Sequence, residues 1–270
     1  MTENIDQQYI ILVDCSYYIF YRYHALKNWY SKAHPENKFD NPVEDEIFIK
    51  AYTKNFMLSI ENLLKKNKIK NYSQLIFCRD CKRDSIWRNE HFKKYKDTRK
   101  HTSDIGQIFK YTYSNILPHI IQNNIYQIKS DNAEADDIVA VITQQIKEKY
   151  PTYKIIILAN DHDYLQLVNS NVTILAGNNK KINDKSNGSA QLDLLVKIIM
   201  GDKSDNIPSC MKKCGIKTSL KFANNPELLN HTLNNNPDFK KQFEHNSLII
   251  DFKNIPENIR NNIIGQYNNL

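Results

Sequence analysis

Six carboxylates in this chain stand just after apolar segments or at the start of a helical pattern, which is where an acid can be gathered for chemistry. Asp14 directly follows the run 9–13, and Asp80 comes two residues after 75–78. Asp161 and Asp163 follow 155–159 in the string Asn160-Asp161-His162-Asp163, while Glu134 and Asp136 stand at the start of a helical pattern. Any one aspartate after a strand is ordinarily a turn or capping residue. The set resists that explanation, because clustered carboxylates repel and each must be neutralised or protonated. A hard divalent cation neutralises them, and all-oxygen ligation suits Mg²⁺, with Mn²⁺ able to substitute. Six acids exceed the needs of one Mg²⁺. Two ions roughly 3.5–4 Å apart would use them, in the arrangement that activates water and stabilises both oxygens of phosphodiester hydrolysis.

These acids converge only if the right elements carry them. Apolar runs recur at Tyr9–Val13, Leu75–Cys78, Ile125–Ile128, Ile155–Ala159 and Val172–Leu175, each short and β-branched or aromatic, as buried strands are. Helical spacing separates them, over Ile47–Leu64 and Ala135–Ile146. Alternating strands and helices predict an α/β fold with a parallel sheet covered on both faces. In such a sheet the carboxyl ends of all strands share one edge, where ligands bind. After about residue 190 the pattern becomes helical and loop-rich, which predicts a smaller helical module on the sheet domain. The 270 residues carry 37 Lys+Arg against 30 Asp+Glu, a net charge of +7 that tilts partners toward phosphates or nucleic acid. No run of 18 apolar residues exists, which excludes a membrane-spanning helix, and the start lacks the pattern of a secretory signal. Five cysteines, an odd number, argue against a disulfide framework. The expectation is a soluble intracellular protein, of a size that suits a phage or large DNA virus.

Five blocks of the sequence resemble the flap endonuclease/5′→3′ exonuclease family, in family order over about residues 9–223. Asp14-Cys15-Ser16-Tyr17-Tyr18 with Tyr21-Arg22-Tyr23-His24 is similar to the opening of the bacterial DNA polymerase I nuclease domain. Asp80, Trp87-Arg88 and Tyr95-Lys96-Asp97-Thr98-Arg99 resemble the second block, with a spacing nearest the T-even phage ribonuclease H. Ala133-Glu134-Ala135-Asp136-Asp137, Ala159-Asn160-Asp161-His162-Asp163 and Gly201-Asp202-Lys203-Ser204-Asp205 match the remaining three. The resemblance implies a PIN-like domain over 1–190, with a basic arch region at about 82–110, and a helix-three-turn-helix module over 191–270. It implies Asp14, Asp80, Glu134, Asp136 and Asp161 as ligands of a first Mg²⁺, and Asp163, Asp202 and Asp205 around a second, partly through waters. Asp137 reads instead as a helix N-terminal acid. Lys96 and Arg99 are the implied stabilisers of the cleaved phosphate. Arg22, Arg88 and Tyr95 are expected DNA contacts, the tyrosine by stacking, together with Gly215, Lys217 and Thr218 at the duplex-anchoring hairpin. Lys213 stands where relatives have the first glycine of that hairpin, which puts the K⁺ site often formed there in question.

The implied activity is a Mg²⁺-dependent 5′ nuclease. It would act as a monomer on DNA bearing a 5′ flap or an RNA primer, with no membrane partner. Two rivals stay open at this level: a junction-binding protein without catalysis, and a PIN-type ribonuclease for single-stranded RNA. Cys78, Cys81, Cys210 and Cys214 have the wrong spacing for a zinc finger, and Trp29 and Trp87 read as packing residues.

Overall fold

The computed structural model describes residues 7–36, 41–98 and 103–270. Five strands, β1 (Tyr9–Asp14), β2 (Gln74–Arg79), β3 (Ile125–Lys129), β4 (Lys154–Leu158) and β5 (Val172–Leu175), form one sheet in the order β3-β2-β1-β4-β5. Every pairing is parallel, with Val13 level with both Phe77 and Leu158. The chain lays strands outward from β1 on one side, then returns to place β4 on the other. The reversal between β1 and β4 is where an open α/β sheet makes its crevice.

The helices are α1 (Cys15–Ala33), α2 (Glu46–Lys66), α3 (Arg88–His91), α4 (Ser103–Tyr111), α5 (Leu117–Ile120), α6 (Ala135–Lys149), α7 (Ala190–Met200), α8 (Ile216–Ala223), α9 (Pro226–Asn235), α10 (Pro237–Ile250) and α11 (Glu257–Asn268). No described helix is long and apolar enough to cross a membrane. Strand alternation divides the core in two. Ile10, Leu12, Ile76, Cys78, Ile155 and Ile157 pack under α6 and α11. Ile11, Val13, Leu75, Phe77 and Leu158 pack against the aromatic faces of α1 and α2, built by Tyr18, Tyr23, Tyr30, Tyr52 and Phe56. Between α4 and α5 one π-helical turn, Thr112–Ile116, sets Tyr113 over the Arg79 guanidinium at 4.0 Å.

Beyond residue 190, α7 to α10 close one smaller apolar cluster among themselves and a second together with Ile86 and Tyr95. Asn246, fully buried, ties them by donating to the carbonyls of Ile198 and Pro208, each at 2.8 Å. Gly201 ends α7 at φ +71°, and a Cβ there would lie 2.5 Å from the carbonyl oxygens of Ile207 and Pro208. Only glycine allows this turn, which aims Asp202 and Asp205 back toward the sheet. Packing crosses the expected boundary near 190 in more than one place: Ile86 and Tyr95 share a cluster with Leu194, Ile198 and Ile249. Helix α11 returns to the sheet domain and places Ile259, Ile263 and Tyr267 in the same core as β1 and β4. Trp29, expected to pack, is 52% exposed.

Candidate metal centre

Parallel topology brings the acids to one edge. Asp14 ends β1 and caps α1, its Oδ1 accepting from the Tyr17 amide at 3.0 Å and its Oδ2 from the Tyr164 hydroxyl at 2.8 Å. Asp80 follows β2, accepting from the Ala135 amide at 2.7 Å and from the Ser16 hydroxyl. That amide belongs to the first turn of α6, so one helix N-terminus fixes Asp80 while presenting Glu134 as its extended N-cap and Asp136 in its first turn. Asp161 caps the turn after β4, receiving the Asp163 amide at 2.9 Å. Carboxylate oxygens of Glu134, Asp136 and Asp137 lie within 4.8 Å of one another, as do those of Asp163, Asp202 and Asp205.

Two lysines hold these groups. Lys96 Nζ lies 2.5 Å from Glu134 Oε1 and 3.6 Å from Asp205 Oδ2, with its backbone at φ +54° and its amide bound to the Asp205 carbonyl at 3.0 Å. Lys197, on the last turn of α7, bridges Asp163 and Asp202. Burial, then the Coulomb field of Asp80, pushes the Asp14 carboxyl up to about 7. Burial and then Asp163 raise Asp161 to about 6, and burial raises Asp80 and, further, Asp136. Two acids go the other way. Burial opposes ionisation of Glu134, but Lys96 and then Arg88 override it and hold the pKa below the usual value. Asp202 is likewise held at about 2, where Lys197 outweighs burial. The edge therefore carries more negative charge than its lysines compensate. An all-oxygen donor set that holds protons for want of charge fits hard divalent cations.

The structure brings together all eight expected ligands, from five separate segments, and corrects several assignments around them. Arg88, expected on DNA, is 2% exposed. Its guanidinium donates to both oxygens of Asp137 (2.8 and 2.9 Å), to Glu134 Oε2 (3.0 Å) and, through Nε, to the Ile249 carbonyl (2.8 Å). It orients acids and docks α10, with no face left for a strand. Tyr95, expected to stack on a nucleotide, is 5% exposed between Arg88 and Lys96, and its hydroxyl donates to Glu134 at 2.9 Å. Asp137 is no free ligand either, because Trp87 Nε1, Arg88 and the Glu134 amide occupy its oxygens. Arg22 is half-buried on α1. Gly215 and Lys217 stand exposed at the start of α8, with Thr218 half-buried beside them. Lys213 has a left-handed φ of +58°, a conformation that glycine adopts without cost. Arg99 lies outside the described residues. Sequence reasoning missed Lys197, Tyr164 and Ser16. The first had a signal, a lone lysine in the apolar stretch of α7 five residues before Asp202.

The family model for the 5′-3′ exonuclease, N-terminal resolvase-like domain, matches residues 9–193. The ribonuclease H of Enterobacteria phage T4 is 28% identical over 254 residues, covering 84% of this chain and 80% of the phage protein. A 5′-3′ exonuclease of Mycoplasmopsis pulmonis (strain UAB CTIP) is 31% identical over 178 residues, covering 63% of this chain and 54% of that one. Among solved structures, the bacteriophage T5 flap endonuclease, in a pseudo-enzyme–product complex with DNA and metal ions, superposes with a TM-score of 0.70. Identity is 15%, with 97% of this chain and 98% of the other covered. The T5 5′-exonuclease with bound zinc superposes at 0.69, with 16% identity and 97% and 99% coverage.

Proposed function

The chain belongs to the 5′-3′ exonuclease family, and on that footing we propose that it is a Mg²⁺-dependent, structure-specific 5′ nuclease. Its substrates are DNA or RNA-primer strands with a 5′ end or flap at a duplex junction. The observation that carries this reading is the convergence of Asp14, Asp80, Glu134, Asp136, Asp161, Asp163, Asp202 and Asp205 on one sheet edge around Lys96 and Lys197. The phage T4 and Mycoplasmopsis relatives, named as nucleases, support the same class of reaction.

The acids divide into an inner group, Asp14, Asp80, Glu134, Asp136 and Asp161, and an outer group, Asp163, Asp202 and Asp205. Each group would hold one divalent cation. Bound Mg²⁺ supplies polarisation of the phosphate and a lowered pKa for attacking water. This chain's own residues do the rest. Tyr164 and Ser16 fix the rotamers of Asp14 and Asp80, and Arg88 fixes Glu134. Lys96, which pairs with Glu134 and Asp205 in the metal-free site, would be free to offset charge developing on the scissile phosphate if those acids held a cation. Gly215, Lys217 and Thr218 at the start of α8 offer backbone amides and charge to a duplex phosphate. Arg99 joins Lys96 in this reading through its place in the Tyr95–Arg99 motif.

A labelled 5′-flap duplex incubated with the purified chain tests the proposal. Cleavage near the junction with Mg²⁺ or Mn²⁺, abolished by EDTA, is expected. Cleavage that persists in EDTA, or none with either metal, refutes it. Unstructured RNA of equal length should be cut far more slowly.

A further inference from the structure

Arg22 and Arg79 make no ion pair among the described residues, and the Nε atom of each is buried without a hydrogen-bond partner. Both lie on the sheet face covered by α1, α2 and α4. Arg79 ends β2 one residue before Asp80, and strand alternation puts its side chain on the face opposite to the carboxylate. Its guanidinium is held by neutral groups alone: Tyr113 stacks over it at 4.0 Å, and Nη1 donates to Gln127 Oε1 at 2.9 Å. Arg22 faces Tyr18 and Tyr52, and the Tyr52 hydroxyl bonds Thr112 Oγ1 at 3.0 Å, so the π turn packs near both arginines. The extra residue of a π turn redirects side chains that a regular helix would send elsewhere, and such turns recur at functional positions. Here it supplies the ring that clamps Arg79.

A guanidinium drawn partly out of water, fixed in orientation and given no counter-charge, is built for an anion that arrives from outside. Its planar fork matches the paired oxygens of a phosphate. We propose that Arg79, clamped by Tyr113 and seconded by Arg22, is a phosphodiester-binding step on the α1–α2–α4 side of the sheet edge. It grips the single-stranded 5′ portion of the substrate next along from the phosphate at the acids. The inference rests on the nuclease reading, extends it to Arg79 and Tyr113, and makes the site discriminate strands with a single-stranded 5′ portion from plain duplex ends.

The test is equilibrium binding of the full chain in EDTA, between about 50 and 200 mM salt. Probes are a DNA flap duplex, an RNA flap duplex and a flapless nicked duplex. Arg79→Gln is expected to weaken flap binding about tenfold. It should also reduce the flap's log–log salt slope by about 0.7, the value of one single-strand phosphate. Binding of the flapless duplex should stay at the wild-type value. The two flaps distinguish DNA from RNA as the strand held, and loss of slope on either supports the step. An unchanged slope on both flaps, or an equal loss on flapless duplex, overturns it. Should Arg79→Gln melt early, Arg79→Lys keeps the charge and must keep the slope, and a slope lost there too also overturns the proposal. Wild-type flap cleavage with Mg²⁺, run in parallel, reports separately on the nuclease reading.

Discussion

Replacing Arg88 by methionine should cost folding stability before it costs anything else. The side chain is similar in length, so little volume is lost, but four donated bonds disappear. Asp137, 0% exposed, then keeps only Trp87 Nε1 and the Glu134 amide as donors. Removing one partner of a buried charge network costs about 3–5 kcal/mol, because the penalty is the stranded charge and not the lost contact alone. Urea unfolding in EDTA should show a lower midpoint at an unchanged slope. Adding Asp137→Asn to Arg88→Met should recover part of the loss, with a coupling energy of at least about 1 kcal/mol in the double-mutant cycle. A residue that only touched DNA would lower affinity and leave the midpoint alone. A loss under about 1 kcal/mol, or strict additivity of the two substitutions, refutes the assignment of Arg88 as the tie between acids and module.

Four further outcomes are expected. Asp14 at about 7 and Asp161 at about 6 stand above the usual carboxylate value, so between about pH 4 and 7 the folded metal-free chain holds protons that the unfolded chain has released. Their contribution to stability falls as pH rises through that window. Mg²⁺ should therefore raise the melting temperature more at pH 8 than at pH 5, and equal shifts would contradict the coupling. Asp161→Asn or Asp205→Asn should lower the cleavage rate by at least about 100-fold while flap binding survives, and near-normal turnover by either defeats the ligand assignment. Lys96→Ala should reduce kcat by about 10²–10³ with a smaller change in KM, a split that steady-state kinetics resolves. Gly201→Ala should destabilise by at least about 1–3 kcal/mol from φ alone, with the clash against Ile207 and Pro208 added, as read by urea unfolding.

The strands were legible because β-branched runs between turn residues have few other uses, and all five fall within a residue of their expected limits at both ends. The acids were legible because a parallel sheet leaves strand ends nowhere else to go. The environment of the charged side chains was not. Arg88 is buried by Ile249, 161 residues away, and by an aspartate that sequence alone assigns to a helix start. The Tyr95-Lys96 motif indicated proximity to phosphate but not that the tyrosine would be enclosed between two cations. Helix α1 gave no clear apolar stripe, since Tyr and Phe surround it, and it was read through its motif alone. The return of α11 carried no local signal at all.

That return has a consequence for how the chain is made. Ile259, Ile263 and Tyr267 finish a core whose first strand begins at Tyr9, so a ribosome must release the chain through Tyr267 before that interior can close. Until then Ile138, Val139 and Ile142 lack part of their apolar cover, the kind of exposed surface through which incomplete chains associate.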